Sequence, residues 1–389
     1  MWDKGFQLSL LKKDRLEWVD YLRGIAIILV VYRHALIGIQ RSSIEAPAIL
    51  TNANMIFYSF RMPLFFLLSG IFISGSIAKK SLNKLIEIKF ENLFYPYLIW
   101  TVIQITLQII FGQYTNSSRG FVDYTYILYH PRNLDQFWYL PALFNATVVF
   151  LITQTKFKPS ALGQLVFGMV LYLASPYFQK VSMMSDWMEF YIFFAIGNAL
   201  SGFFFKPTWQ KFLANPLGFL ILIPLFVATQ LYYLQHDVGN NNLLTDLNQI
   251  KANYLNHAYN QLSFLVIALV GCLTMFKLSF LFQKWKLLPF LRIVGYHSLQ
   301  IYVMHVIVTG FVRLVLHSWL GVNNAGLLLV AGIVIGVLMP ILLYNFLIKD
   351  SIGWFLFSYK KRKASPFRTQ VESIAPIVPA SLPIVTAEV

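Results

Sequence analysis

Two ionisable side chains, Arg23 and His34, sit inside one apolar run, Trp18 to Gln40 (WVDYLRGIAIILVVYRHALIGIQ). Such a run is long enough to cross a bilayer, which takes about 20 residues. The two residues are separated by close to three turns at roughly 3.6 residues per turn, so they share one helix face. At about 1.5 Å per residue they stand roughly 16 Å apart along the axis. Ionisable groups inside a membrane span are costly, and they point to a wet cavity or a partner. Imidazole is the side chain whose ordinary pKa suits taking a proton from an alcohol near neutrality. It also serves as a nucleophile that carries an acyl group, and spacing does not choose between these roles. A guanidinium binds phosphates or polarises a carbonyl. The bland alternatives are a hydrogen-bonded core histidine, and an arginine that snorkels to the interface or pairs with Asp20. Arg33 points about 100° away from His34 and reads as a helix–helix or headgroup contact.

Other candidates lie in later apolar segments. Arg61 is too deep in its segment to be an interface anchor, and it suits an oxyanion or sugar contact. Trp138 and Tyr139 are either an aromatic belt or a platform for a sugar face. Glu189 is either a solvated rim residue or a site acid, and Tyr302 and His305 are either core or substrate contacts. Ser69, in LLSG, reads as a small packing residue, because no Gly-x-Ser-x-Gly elbow surrounds it.

The elements that must position these residues follow from composition. The chain has 389 residues, 57% of them hydrophobic and 12% charged, with a mean hydropathy of +0.61. Soluble domains carry about 25% charged residues, so this is a polytopic membrane protein. Ten spans are expected, at about 18–40, 54–77, 88–111, 137–155, 160–176, 186–205, 216–235, 258–276, 288–314 and 325–348. A basic N-terminal segment, 1–17, precedes this membrane domain of 18–348. A basic tail, 349–389, ends in APIVPASLPIVTAEV and is expected to be disordered. The first run lacks a small-residue cleavage site and reads as a retained span. The lone Cys272 excludes an intramolecular disulfide and suits a packed core.

The formal charge of +15 needs no nucleic acid. With ten spans and both termini cytoplasmic, one side collects Lys79, Lys80, Lys84, Lys89, Lys277 and the tail cations. The other keeps Arg41, Arg119, Arg132, Lys180, Lys251 and Arg313. That bias is the positive-inside pattern. It puts Arg23 in the cytoplasmic half of the first span, and His34, Arg61 and His305 toward the outside.

With these residues in place, the chain resembles acyltransferase family 3, the integral-membrane enzymes that put acetyl and other acyl groups on surface sugars. DYLRGIAIILVVYRH resembles the family's first-helix signature. FRMPLFFLLSGIFI, FYPYLIW, WYL at Trp138 to Leu140 and GYHSLQIYVMH follow in the family's order. The MPLFFLLSG run looks most like the branch of fucose and polysaccharide O-acetyltransferases. The resemblance covers roughly residues 15–348. It implies an all-α bundle in the bacterial inner membrane, acetyl-CoA or another acyl-CoA as donor, and a surface polysaccharide or lipid-linked sugar as acceptor. It implies no metal. His34 would be base or acyl carrier, Arg23 the donor-side cation, and Arg61 the stabiliser of charge near His34. Trp138, Tyr139, Lys89, Glu189, Tyr302 and His305 are the expected substrate contacts. The family often carries two arginines three apart before the third-span proline; here Lys89 and Asn92 stand at those positions, so one charge is kept. The competing class is a carrier or flippase for a lipid-linked glycan or acyl group, since intramembrane charges mark transport paths too. No Walker loop, dinucleotide fingerprint or His-Glu-x-x-His occurs.

Overall fold

The computed structural model describes residues 5–12, 15–114, 119–236 and 254–360, and among these the chain is helical, with no strand. In chain order the main helices are α1 (Glu17–Arg41), α2 (Ala48–Ile77), α3 (Leu82–Ile110), α4 (Pro131–Phe157), α5 (Ala161–Phe178) and α6 (Ser182–Phe204). They continue as α7 (Pro207–Leu213), α8 (Pro216–His236), α9 (Tyr254–Trp285), α10 (Phe290–Tyr296), α11 (Ser298–Trp319) and α12 (Ala325–Ile348). Nine of them are long and apolar enough to cross a membrane; the α6–α7 pair, bent by 107°, makes a tenth. The all-α, polytopic bundle expected from composition is the fold observed.

α1 lies at the centre, packed against α2, α9, α10, α11 and α12. Small residues allow the close approaches, as is usual between membrane helices. A Cβ on Gly24 would meet the Leu291 carbonyl oxygen at 2.2 Å, and one on Gly295 would meet the Asp20 carbonyl oxygen at 1.8 Å. α1 and α10 therefore touch backbone to backbone on both sides of Arg23. α6 crosses α2 and also packs against α4 and α5, while α8 rides on α9 at the edge. We call the end of the bundle where α1 begins the near face, and the opposite end the far face. Near the near face, the fully buried Trp18 indole packs among Phe72, Phe204, Phe276 and Phe280, which anchors the start of α1.

Three sequence expectations change. The span expected at 288–314 is two helices, α10 and α11, separated at His297; that ring bonds the Ile293 carbonyl at 2.8 Å and Asn345 at 3.0 Å. Lys277 is no loop charge, because α9 continues to Trp285. Its buried ammonium reaches the carbonyls of Phe212, Leu213 and Asn215. A cation there answers the unpaired carbonyls at the end of α7. The tail is ordered at its start: Tyr95 and Trp100 of α3 donate to the Phe355 and Leu356 carbonyls, at 2.8 and 3.0 Å. Aromatic residues in this stretch, such as Phe357 against Trp100, explain why it docks. Residues 361–389, the rest of the expected disordered tail, lie outside the described residues.

Candidate active site

One face of α1 carries Arg23, Ile27, Val30 and His34, spaced four, three and four residues apart, as a continuous stripe requires. Two cavities open along it. Arg23 and Ile27 line a near cavity of ≈130 Å³; Val30 and His34 line a far cavity of ≈420 Å³. Tyr302 of α11 lines both. Its hydroxyl donates to the Gln136 carbonyl, and its ring packs edge-on against Tyr139 at 5.5 Å. The layer between the cavities is thus built from the chain's own aromatic groups.

The near cavity is walled by Lys89, Asn92 and Leu93 of α3, by Tyr139, and by Ser69 and Phe65 of α2. Lys89 immediately precedes a π turn over Phe90–Phe94 that holds Asn92 and Leu93, an irregularity that recurs at functional sites. Asp20 is not the partner of Arg23. It takes both donors of Arg15, Nε at 2.9 Å and a terminal nitrogen at 2.8 Å. Arg23 and Lys89 have no carboxylate within salt-bridge distance among the described residues. Ser69 donates back to the Phe65 carbonyl at 2.8 Å, as a packing serine does.

The far cavity gathers His34 and Arg33 of α1, Tyr58 and Arg61 of α2, Arg132 and Trp138 of α4, Glu189 of α6 and Gln261 of α9. The His34 ring meets the His305 ring edge-on, with centroids 5.1 Å apart and planes at 62°. His305 is fully buried, and its Nδ1 faces the carbonyls of Ile301 at 3.0 Å and Tyr302 at 2.8 Å. Two acceptors on one ring nitrogen assign the proton to Nδ1, leaving Nε2 a lone pair. That Nε2 is buried without a hydrogen-bond partner. Arg61 is 2% exposed and donates to Asn54 at 3.2 Å. Arg132 is paired with two carboxylates: it bonds Asp186 and reaches Glu189 at 3.0 Å, and it lies 4.6 Å from the Trp138 ring. His130, in the loop before α4, bonds Ser182 at 2.9 Å; burial and then Arg132 push its imidazole below the ordinary histidine value.

The structure therefore brings His34, Arg61, Trp138 and Glu189 to one cavity, and Arg23, Lys89 and Tyr139 to the other, with Tyr302 between; His305 lines neither and is buried behind the His34 ring. Trp138 and Tyr139, adjacent in sequence, serve opposite sides of that layer. Sequence reasoning missed Arg15, Arg132, Asp186 and Gln261, and it assigned Arg33 to a packing or headgroup role. Arg132 was counted only as a loop charge; the Pro-Arg-Asn turn ahead of Trp138 was the available signal. Gln261 gave none, although its Oε1 is buried and unpartnered at the far cavity.

A polytopic helical bundle with a histidine and arginines along one buried helix face suits a membrane-embedded transferase or a carrier, and comparison with known proteins separates the two classes. Residues 16–345 match the family model described as an acyltransferase domain, the third acyltransferase family, and the chain belongs to that family. The chain is also similar to the nodulation protein NolL of Sinorhizobium fredii, with 29% identity over 137 residues. That match covers 35% of each chain, so only about a third of this relative's length is spanned. No solved structure matches the chain significantly.

Proposed function

We propose that the protein transfers an acetyl group from acetyl-CoA to a sugar hydroxyl of a surface polysaccharide or lipid-linked glycan, in a bacterial inner membrane with its near face cytoplasmic. The observation that carries this reading is the α1 stripe, which runs Arg23 and His34 through two cavities that meet at Tyr302. Arg23 and Lys89 offer charge to the phosphates of the donor, in keeping with guanidinium and ammonium chemistry. The acyl-pantetheine arm then follows the stripe past Ile27 and Tyr302, roughly 16 Å by helix rise. In the far cavity His34 takes the proton of the acceptor hydroxyl, whose oxygen attacks the thioester carbonyl. Arg61 stabilises the negative charge on the carbonyl oxygen. The carbon–sulfur bond breaks, the sulfur takes the proton from His34, and an ester and free CoA thiol result. Trp138 suits stacking on a sugar face. His305, whose ring packs edge-on against His34, holds that imidazole in place by contact.

The test compares the O-acetyl content of surface glycan in a deletion strain complemented with wild type or His34→Ala, at matched membrane levels. Wild type should restore an ester and release CoA thiol, with His34→Ala about 100- to 10,000-fold slower. Equal restoration by both would overturn the reading, and ester export without thiol release would point to a carrier.

A further inference from the structure

The acyl-transfer reading gives Arg61 the donor's carbonyl oxygen, but it assigns nothing to Arg33 or to any charge on the acceptor itself. Charge in the far cavity is unevenly partnered. Its two lining carboxylates are spoken for: Glu189 by Arg132, and Asp135 by Arg41 at 3.2 Å and Arg119 at 3.3 Å. Arg33 and Arg61 are different. Both line the cavity, and both guanidiniums lie 5.3 Å from the Tyr58 ring. Neither has a carboxylate within salt-bridge distance among the described residues. Arg61 is nearly fully buried, and its one hydrogen bond to a described side chain is to the neutral Asn54. Two guanidiniums on one ring repel each other, and desolvating them without an anion is costly. A tyrosine face attracts a cation but does not neutralise it.

We infer that the far cavity is built for an anionic acceptor, with a phosphate or carboxylate of the acceptor bound between Arg33 and Arg61 while its hydroxyl meets His34. This rests on the acyl-transfer reading for the hydroxyl, but not for the anion. Planar forks suit bidentate oxyanions, and Arg33, half-buried, gives the entering group a donor before Arg61 is reached. Gln261 Oε1, buried and unpartnered on the same wall, is an acceptor for a neutral sugar hydroxyl beside the charge. The anion has two sources with this one chemistry: the phosphates of a lipid carrier, or the carboxylate of an acidic sugar.

The experiment uses the full chain in nanodiscs and measures binding of inorganic pyrophosphate, glucuronate and, as the neutral control, glucose. Wild type should bind at least one of the two anions ten times more tightly than glucose. Arg33→Gln and Arg61→Gln should each weaken that anion tenfold or more, whereas Lys180→Gln, at an exposed position lining neither cavity, should leave that binding in place. Preference for pyrophosphate names the carrier phosphate, and preference for glucuronate names the acidic sugar. Arg33→Gln, at a half-buried position, carries the test if Arg61→Gln fails to fold. Binding of glucose as tight as that of the anions, or an equal loss in Lys180→Gln, overturns the inference. Neither result touches the ester and thiol measurements, so acyl transfer can stand while the anionic acceptor falls. If His34→Ala restores the ester while Arg33→Gln loses the anion, the reverse holds.

Discussion

The near and far cavities share a helix face and a positive character, yet they are built for different tasks. The near cavity is small and apolar over much of its wall, and its cations Arg23 and Lys89 lack carboxylate neighbours. Arg15 holds Asp20 in a two-point ion pair, so Asp20 forms no salt bridge with Arg23. The far cavity is about three times larger and mixes arginines with carboxylates, amides and an indole. The first resembles a socket for a phosphate-bearing group with a thin chain leading inward. The second resembles a site for a bulky polar molecule that must be oriented. The lesson is that sidedness here comes from the partners of the charges more than from the charges themselves.

That contrast can be broken by mutation. Arg61→Ala should lower kcat about 100- to 1,000-fold, the usual cost of losing an oxyanion donor, with KM for acyl-CoA little changed. Arg23→Ala should instead raise KM for the donor, by about 10- to 100-fold if one charged hydrogen bond of about 1.5–3 kcal/mol is lost. If the two kinetic signatures exchange places, the assignment of the cavities is wrong. His305→Gln should slow turnover on the order of tenfold and shift the pH profile of kcat, because it alters the group beside the base and not the base itself. An unchanged profile would make His305 a packing residue. The smallest effect belongs to the fold: Gly295→Ala forces α10 off the Asp20 carbonyl and should destabilise the protein by about 1–3 kcal/mol, read as a lower Tm in detergent. An unshifted Tm would mean that the two helices separate freely there.

Much of this was legible in the chain. The period of α1 placed Arg23 and His34 on one face, and depth along each span put Arg61 and His305 level with His34. What depth cannot supply is which helices are neighbours and which way each side chain turns. Arg33 was set aside because it points away from His34, yet the far cavity is wide enough to curve around α1 and reach it. The i, i+3 spacing offered Asp20 as the bland partner of Arg23, but an arginine five residues before Asp20, outside the helix, takes it. Arg132 lies before the apolar core of α4, and only the fold shows it bound to Asp186 and Glu189. The break at His297 was hidden because segment 288–314 as a whole reads as one apolar run. The ring there holds a long-range contact with Asn345 that periodicity does not register.

The layer around Tyr302 has an electrical consequence. Where polar cavities enter a bilayer from opposite faces, the voltage across the membrane falls mainly over what separates them. At about 2.3 kcal/mol per elementary charge per 100 mV, most of that work is done within the thickness of one tyrosine and its neighbours. A neutral thioester crosses such a layer without electrical work, whereas a thiolate returning toward the near face would carry its charge through the whole drop. In the proposed mechanism, the proton that His34 hands back to sulfur would therefore do more than complete the ester: it would let the spent donor leave independently of the membrane potential.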